Sequence, residues 1–337
     1  MKRPLVVIDA DVLGRQRTGD ETYVENLLRE LPASAPDLRL AAVTRHPELV
    51  PEGVEPVELP ARSQKWRMAS SLPRLLGRLR PALAHFQHSL PLRCPCPAIL
   101  TVHDLSFERD PSVMSRSDRL VFRTVVPRSA RRAALVIAVS QRTRTDLVEL
   151  YGVPPERIVV TPHGVDPIFR PDAAVNGRYL LFVGAVQERK NPLAALDAAD
   201  AAGLPLVVVG PAKDAALAGE LAGRGASVRG WVAKEELAEL YRGAAALLLP
   251  TRYEGFGLPV LEAMASGTPV VATPDPALRE VAGDAAVYAE PDELAGAVRS
   301  ALERRAELVS AGLERARLFS WAETARLTAD AYRAALR

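Results

Sequence analysis

Two glutamates eight residues apart are the side chains in this sequence best suited to bind a sugar. Glu254 and Glu262 occur in the run PTRYEGFGLPVLEAMASGTPVVAT, which begins at Pro250. An ionised carboxylate has two oxygens that accept hydrogen bonds, so it can bind two neighbouring hydroxyl groups at once. The pair therefore indicates contacts with a ribose and with a second sugar.

The glycines between the two glutamates indicate an anion site. An apolar strand ends at Leu249, and a loop with Gly255 and Gly257 follows. Pro259 then stands at the first position of a helix, where its fixed φ is favourable. Backbone N–H groups gather at the start of such a helix and bind anions, phosphate in particular. The segment thus predicts a phosphate with a hydroxyl-binding carboxylate on either side.

A pair of basic residues could neutralise that phosphate. In the run YLLFVGAVQERKNP an apolar strand ends at Gly184, and Arg189 and Lys190 follow before the next helix. Arginine offers a planar fork to phosphate oxygens, and lysine offers a point charge. Lysine is rare here, with five residues against 38 arginines, so a lysine beside an arginine favours a binding role. The alternative, which this segment by itself favours, is a solvated basic turn.

Alternating strands and helices must carry these residues. Short apolar runs rich in β-branched residues alternate with longer amphipathic stretches along the whole chain. Such alternation predicts parallel, doubly wound sheets that helices cover on both faces. Ligands of such sheets bind beyond the carboxyl ends of the strands, where we expect both glutamates and both basic residues.

The sequence divides near its midpoint. Residues 166–177 are rich in Pro, Asp, Asn and Gly and show no strand or helix period, which indicates a linker. We expect an N-terminal domain over residues 1–168, a C-terminal domain over 169–319 and a terminal helix over 320–337. The net charge changes sign at the same place, since residues 1–170 carry 25 basic and 19 acidic side chains and the remainder carries 18 and 22.

Several motifs resemble those of the retaining glycosyltransferases of family 4, which have the GT-B fold. EGFGLPVLEAMASGTPVV is similar to the family's signature of two glutamates separated by seven residues. VGAVQERKN resembles its diphosphate-binding loop, and GWVAKEELAELYRGAAALLLPTRYEGFG resembles its nucleoside-binding stretch. The runs similar to its N-domain motifs are RTGDETYVENLL, TVHDLSF, VSQRTRTDL and VVTPHGVD. FSWAETARLTADAYR resembles the C-terminal helix that returns to the N-domain, so the resemblance implies two Rossmann-like domains facing across a cleft.

The resemblance implies a donor site in the C-terminal domain. Glu262 would bind the ribose hydroxyls, and Glu254 would bind the hydroxyls of the donor sugar. Arg189 and Lys190 would hold the diphosphate and neutralise the leaving group. Ala185 stands where many relatives carry a further arginine, so these two residues would supply the positive charge alone. The other donor contacts would come from Gly19, Gly184, Trp231, Val232, Gly255, Phe256, Gly257 and Leu258.

The resemblance also implies roles for the N-terminal domain. His103 would face the sugar across the cleft, and Gly19 would approach the phosphate or the acceptor. His88 and Asp104 would line the acceptor side. The alternatives are a hydrogen-bonded strand-end histidine for His103 and a simple turn for Gly19. The candidate catalytic residues are thus His103, Glu254, Arg189 and Lys190.

No metal or other cofactor is expected. Asp9 and Asp11 spell a DxD motif, which binds a divalent metal in a different glycosyltransferase fold, but here they end the first strand. The two cysteines, Cys94 and Cys96, form no disulfide framework and lack the second pair that a zinc site needs. Because two basic residues already face the diphosphate, we expect catalysis to require no metal ion.

The expected activity is transfer of a sugar from a nucleotide-diphosphate sugar with retention at the anomeric carbon. RKNP and TVHDLSF look most like bacterial mannosyltransferases that build surface polysaccharide, so GDP-mannose is the first donor to test. The acceptor would be a glycan, a lipid-linked sugar or a small molecule. The alternatives of similar fold are a nucleotide-sugar epimerase, a phosphorylase and a non-catalytic sugar-nucleotide-binding protein. A dehydrogenase is disfavoured, because no GxGxxG follows a strand.

Composition predicts a soluble, cytoplasmic protein. Hydrophobic residues make up 48% and charged residues 25%, which are ordinary values, and no run of about 18 apolar residues could span a bilayer. The N-terminus predicts a buried strand and not a signal peptide. No nucleic-acid partner is indicated.

One basic segment nevertheless indicates a membrane contact. Between Glu58 and Asp104 the sequence has no acid, and Trp66 and several leucines lie among seven bases. These bases are Arg62, Lys65, Arg67, Arg74, Arg78, Arg80 and Arg93. Basic and apolar side chains together favour peripheral binding of residues 62–93 to the anionic inner membrane face. A surface helix with a solvated basic face is the alternative.

Overall fold

The computed structural model describes residues 3–15, 18–61, 63–110, 116–172 and 177–337, which form two compact units. The first unit comprises the described parts of Met1–Leu105, Arg116–Gly164 and Trp321–Arg337, and the second comprises those of Ser106–Ser115 and Val165–Ser320. Residues 106–110 and 165–168 therefore group with the second unit, whereas the division made from the sequence assigns them to the N-terminal domain.

A seven-stranded parallel sheet forms the centre of the first unit. Its strands are β1 (Leu5–Asp9), β2 (Arg39–Thr44), β3 (Glu55–Glu58), β4 (Leu83–Gln87), β5 (Ala98–Val102), β6 (Leu135–Ala138) and β7 (Ile158–Val160). They are ordered β3-β2-β1-β4-β5-β6-β7, and every neighbouring pair is parallel. The order reverses between β1 and β4, so ligands are expected beyond the carboxyl ends of these central strands.

Helices between the strands complete the first unit. They are α1 (Thr18–Ser34), α2 (Gln64–Trp66), α3 (Leu72–Leu79), α5 (Arg116–Arg132), α6 (Gln141–Tyr151) and α14 (Trp321–Ala335), and a π-helical turn, Arg67–Ser71, joins α2 to α3. Local sequence sets their ends: the Ser140 hydroxyl accepts a hydrogen bond from the Thr143 N–H at 3.0 Å, and Gly152 ends α6 with a left-handed backbone.

The second unit repeats the same plan around a six-stranded parallel sheet. Its strands are β8 (Tyr179–Val183), β9 (Leu206–Val209), β10 (Ser227–Val228), β11 (Ala244–Leu249), β12 (Val270–Ala272) and β13 (Val287–Tyr288), in the order β10-β9-β8-β11-β12-β13. Its helices are α4 (Ser106–Arg109), α7 (Pro192–Ala202), α8 (Ala215–Gly223), α9 (Lys234–Gly243), α10 (Leu258–Ala265), α11 (Pro276–Ala282), α12 (Leu294–Glu303) and α13 (Arg305–Ala316). All residues of β9 and β11 are buried, as strands covered on both faces require. The doubly wound fold predicted from the sequence is confirmed.

The last helix, α14, packs on the first unit. The Tyr332 hydroxyl lies 2.7 Å from His85 Nδ1 in β4, and His85 Nε2 lies 2.7 Å from the Thr101 hydroxyl in β5. The Thr324 hydroxyl donates to the Pro162 carbonyl at 2.6 Å, and Trp321 is buried. The prediction that the C-terminal helix returns to the N-domain is confirmed.

The basic segment differs from its prediction in one respect. Arg67 is fully buried and therefore adds nothing to a basic surface. Three leucines also face the core, as the alternative of a surface helix with a solvated basic face predicts. They are Leu72, Leu75 and Leu76. Lys65, Arg74, Arg78, Arg80 and Arg93 are exposed, with Trp66 58% and Leu92 67% exposed, whereas Arg62 lies outside the described residues. In the described part of the chain, no helix is both long and apolar enough to cross a membrane.

Candidate active site

Two loops of the second unit bring three of the four predicted catalytic residues, Arg189, Lys190 and Glu254, to the centre of its sheet. Arg189 and Lys190 lie in a 3-10 turn, Glu188–Lys190, that follows β8, and Glu254 lies in the loop that follows β11. These strands are neighbours at the point where the strand order reverses. The Lys190 ammonium donates a hydrogen bond to Glu254 Oε1, and both side chains are largely buried. A buried charge pair thus connects the two loops.

Arg189 holds the same two loops together through the backbone. Its guanidinium is buried and donates from Nη1 to the Tyr253 carbonyl, while the Arg252 N–H donates to the Arg189 carbonyl at 2.9 Å. The Arg189 Nε atom is buried and has no hydrogen-bond partner among the described residues. Lys190 is the more accessible of the two cations, so Arg189 contributes to loop structure as well as to charge.

Glu262 lies on α10, where its carboxylate meets Tyr241. The Tyr241 hydroxyl donates to Glu262 Oε2 at 2.8 Å. Burial raises the pKa of Glu262 to about 7, and the nearby Asp166 carboxylate adds to this increase. The hydrogen bond from Tyr241 and the charge of Lys234 oppose it. Lys234 is itself paired with Asp166 at 2.9 Å. A ligand that donates hydrogen bonds to Glu262 would favour its ionised form.

The start of α10 requires glycine. Gly257 has φ of 109° and precedes the first residue of the helix. The φ of 109° is strained for any residue with a side chain, and a Cβ atom at this position would lie 2.7 Å from Leu278 Cδ2, so the leucine side chain would also have to shift. Gly255 and Phe256 are buried beside it, with the Phe256 ring 6.0 Å from Phe319, and Leu258 is partly buried. Phe256 therefore fixes the loop through its side chain.

The remaining donor-site candidates lie further along the same sheet. Gly184 directly follows β8, and its N–H donates to the Val209 carbonyl at 2.9 Å. Trp231 is 52% exposed and Val232 is partly buried, between β10 and α9. The exposed indole could stack on a planar base.

The first unit places a cluster of polar residues at the carboxyl ends of β4 and β5. His103 is buried, with Nε2 3.0 Å from Gln87 Oε1, and its ring centroid lies 4.8 Å from that of Tyr23. His88 Nε2 lies 3.2 Å from Asp20 Oδ2, and the two histidine rings are 5.0 Å apart. His88 has a left-handed backbone, with φ of 57°, which is uncommon for a residue other than glycine.

The charges in this cluster follow from burial and from Asp20. Burial lowers the pKa of His103 to about 4, so this imidazole is neutral at pH 7. Burial opposes the charge on His88, but the Asp20 carboxylate outweighs it and raises the pKa of His88. Burial also opposes ionisation of Asp20, yet His88 and His103 lower its pKa. The cluster thus holds one ion pair beside one neutral imidazole.

Sequence reasoning missed several residues that complete these clusters. Asp20 and Gln87 contact the predicted histidines, and Tyr241 contacts Glu262. An acid in the first turn of α1, directly after Gly19, was an available signal for Asp20. Gly19 lies in that same turn, and Asp104 follows His103 with its side chain partly exposed.

Arginines surround the two aspartates of the DxD motif. Asp9 accepts two hydrogen bonds from Arg67, at 2.6 and 2.9 Å. Asp11 pairs with Arg45 at 2.9 Å and also with Arg15. Both carboxylates are therefore charge-compensated by protein side chains.

The sequence matches two family models and is similar to known proteins. The family model for Glycosyltransferase Family 4 matches residues 17–169, and the model for Glycosyl transferases group 1 matches residues 177–304. The chain is 30% identical over 267 residues to O-antigen chain mannosyltransferase B of Escherichia coli, covering 70% of each chain. It is 32% identical over 287 residues to a D-inositol 3-phosphate glycosyltransferase of Acidothermus cellulolyticus, covering 71% of this chain and 62% of that protein.

Solved structures share the fold at lower identity. Sucrose-phosphate synthase from Thermosynechococcus elongatus superposes with a TM-score of 0.78 at 20% identity, over 99% of each chain. WaaG, a glycosyltransferase involved in lipopolysaccharide biosynthesis, superposes with a TM-score of 0.73 at 18% identity, over 97% of this chain and 98% of that one. Both similarities extend over almost the whole length of both units.

Proposed function

This chain belongs to glycosyltransferase family 4, and on that premise we propose that it transfers a sugar from a nucleotide-diphosphate sugar with retention at the anomeric carbon. The observation that supports this most strongly is the buried Lys190–Glu254 pair between two loops at the centre of the second sheet. It lies beside the N-terminus of α10, where backbone N–H groups favour a phosphate.

The second unit would bind the donor. Glu262 accepts from the ribose hydroxyls, Glu254 accepts from the sugar hydroxyls, and Trp231 stacks on the base. Lys190 neutralises the charge that develops on the diphosphate as the bond to the sugar breaks. GDP-mannose is the first donor proposed, since two of the similar proteins are mannosyltransferases by name.

Retention in a single displacement places the acceptor on the face from which the diphosphate leaves, and this is the step we propose. The acceptor oxygen forms a bond to the anomeric carbon, the bond from that carbon to the phosphate oxygen breaks, and the acceptor proton passes to the departing diphosphate. Protein groups position the reactants and stabilise charge in such a step. We propose that no metal ion is required, because Lys190 and the start of α10 supply the stabilising charge.

We assign acceptor binding to the first unit, through His88, His103 and Asp104. A lipid-linked acceptor would be presented at a membrane surface, and exposed basic residues of this unit suit such a contact. Arg74, Arg93 and Arg132 line one surface cavity of ≈ 540 Å³ together with exposed Leu92. The first half of α5, which sequence reasoning missed, adds four exposed apolar side chains: Leu120, Val121, Phe122 and Val125.

A nucleotide-sugar screen tests the activity. Purified protein is incubated with each nucleotide sugar, with and without candidate acceptors, and release of nucleotide diphosphate is measured. We expect GDP-mannose turnover that EDTA leaves intact, and NMR of the product should show the anomeric configuration of the donor. Binding without any turnover would favour the non-catalytic alternative, and an inverted product would exclude retention.

A further inference from the structure

Three potential metal ligands converge at the carboxyl end of the first sheet. Asp20 comes from the first turn of α1, His88 directly follows β4, and His103 directly follows β5. One ligand atom from each of the three lies within 4.8 Å of the other two. Since these residues are 15 to 83 positions apart in sequence, the parallel sheet and α1 bring them together.

We propose that Asp20, His88 and His103 bind a divalent transition metal ion such as Zn²⁺, and that this ion inhibits the enzyme by occupying the acceptor side. The binding step stands on the geometry of the first unit alone. The inhibitory step rests on the proposed function, because it requires that His88 and His103 meet the acceptor.

The ligand spacing suits zinc. Zinc bonds of about 2.0–2.1 Å at tetrahedral angles place neighbouring ligand atoms about 3.3 Å apart. The distance between His88 Nε2 and Asp20 Oδ2 is 3.2 Å, so a metal ion can replace the proton that these atoms share. The His103 ligand atom lies within 4.8 Å of the other two ligand atoms. It must therefore move by no more than about 1.5 Å to reach the spacing of about 3.3 Å.

The donor set and its surroundings also suit a transition metal. Imidazole selects zinc, copper, iron and nickel over magnesium and calcium. Three protein ligands leave a fourth position for water, as in zinc sites that exchange ligands. Gln87 Oε1 accepts from His103 Nε2 at 3.0 Å, which leaves Nδ1 as the ring nitrogen that can bind a metal ion, and such an outer hydrogen bond is typical of metal-bound histidine.

The backbone of His88 supports the same assignment. Its left-handed φ of 57° is strained for a residue other than glycine. In this conformation the imidazole lies against the Asp20 carboxylate. Asparagine tolerates this conformation, so His88→Asn removes the imidazole while the backbone is kept.

Cobalt titration tests the site directly. Co²⁺ is added to the full-length protein, and its visible absorption band is followed, with Zn²⁺ as a competitor and calorimetry for stoichiometry. We expect one ion per chain, displaced by Zn²⁺. His88→Asn and Asp20→Asn should each weaken binding at least tenfold, and Gln87→Ala should weaken it roughly 10–100-fold.

Two controls separate this site from other ligands of the chain. His46→Ala removes an exposed imidazole that lies 3.0 Å from Glu48, and it should leave Co²⁺ binding unchanged. Cys94 and Cys96 have sulfur atoms 3.8 Å apart, so a Cys94→Ser/Cys96→Ser variant tests the only two thiols of the sequence. It should also bind Co²⁺ like the wild type.

The outcomes decide each step. Absence of a Co²⁺ band, binding that survives His88→Asn and Asp20→Asn, or binding lost with the cysteines overturns the metal site. If Co²⁺ and Zn²⁺ bind as expected, then added Zn²⁺ should lower transfer activity at least tenfold and EDTA should restore it. Zn²⁺ that binds without inhibiting, or that activates, overturns the inhibitory step. A protein without any transferase activity leaves the cobalt result valid and overturns only the proposed function.

Discussion

Glu262 is the residue at which pH should control donor binding. Burial raises its pKa to about 7, so Glu262 gains or loses its proton near neutral pH. A protonated carboxyl accepts fewer hydrogen bonds than a carboxylate. We therefore expect nucleotide affinity, measured by calorimetry, to rise as the pH increases from 6 to 8.

A variant isolates this effect. Glu262→Gln should weaken nucleotide binding by about 1–3 kcal/mol at pH 8 and should remove the pH dependence between 6 and 8. The effect of pH on stability has the opposite sign to its effect on binding. The folded state binds the proton of Glu262 more tightly than the unfolded state, in which the pKa is near 4.5. The contribution of Glu262 to the free energy of unfolding therefore falls as the pH rises from about 4.5 to about 7. Unchanged affinity in the variant would remove Glu262 from the ribose role.

Lys190 should matter more for turnover than for affinity. Its ammonium pairs with Glu254, and it is the accessible cation of the loop, so it can follow the charge on the leaving diphosphate. Lys190→Ala should lower kcat about 10²–10³-fold, or about 2.7–4 kcal/mol, with nucleoside affinity changed much less. Arg189→Ala/Lys190→Ala should be at least as inactive.

The matched control lies in the same two loops. Arg252 pairs with Glu188 at 3.2 Å on the exposed side, so Arg252→Ala removes a cation without touching the buried pair. It should retain nearly full activity. Activity that survives the loss of both Arg189 and Lys190 would remove this loop from the diphosphate role.

Site residues that belong to one local motif could be predicted from the sequence, whereas contacts between residues far apart in the sequence could not. Glu254 and Glu262 are recognisable because eight residues separate them around a glycine loop. Asp20 lies 68 positions from His88, and Tyr241 lies 21 from Glu262, so no local pattern joins them. The burial of Arg67 beside Asp9 likewise depends on a contact 58 residues away.

Among the elements, α14 is linked to the first sheet by a buried hydrogen-bond chain. His85 links the Tyr332 hydroxyl to the Thr101 hydroxyl, and burial lowers the pKa of His85 to about 3, so the ring is neutral in all ordinary buffers. Tyr332→Phe leaves His85 Nδ1 buried without its partner. We expect the free energy of unfolding of the first unit, measured with urea, to fall by about 1–3 kcal/mol.

A surface substitution on the same helix provides the comparison. Arg326 pairs with Glu323 and Asp330 on the exposed face of the helix, so Arg326→Ala should change stability little. Equal effects of Tyr332→Phe and Arg326→Ala would show that the buried chain does not anchor α14.

The strands were more predictable than the helix boundaries. Buried parallel strands appear in sequence as short apolar runs, and runs such as residues 179–183 and 206–209 coincide with β8 and β9. Helix α1 extends from Thr18 to Ser34, beyond its apolar face and past Pro32. Tertiary packing sets such ends, and a single sequence carries little information about it.

For the whole molecule, the distribution of charge is the feature with a functional consequence. The basic excess lies in residues 1–170, and the longest stretch without an acid lies between Glu58 and Asp104. Burial of Arg67 and of three leucines leaves a basic surface with two large apolar side chains, Trp66 and Leu92. Each basic residue near an anionic membrane contributes about 1 kcal/mol, which salt screens. Binding should therefore be reversible and mostly electrostatic.

Cosedimentation with vesicles tests this contact. The wild type should pellet with phosphatidylglycerol-containing vesicles at low salt and should be released near 0.5 M salt, where the Debye length is about 4 Å. Arg74→Glu/Arg78→Glu/Arg93→Glu should abolish pelleting, because it reverses three exposed charges of one surface. Arg170→Glu/Arg299→Glu/Arg317→Glu reverses three exposed charges of the second unit and should still pellet. Equal loss in both variants would mean that only net charge matters, and a wild type that stays in the supernatant at low salt would favour a small, freely diffusing acceptor.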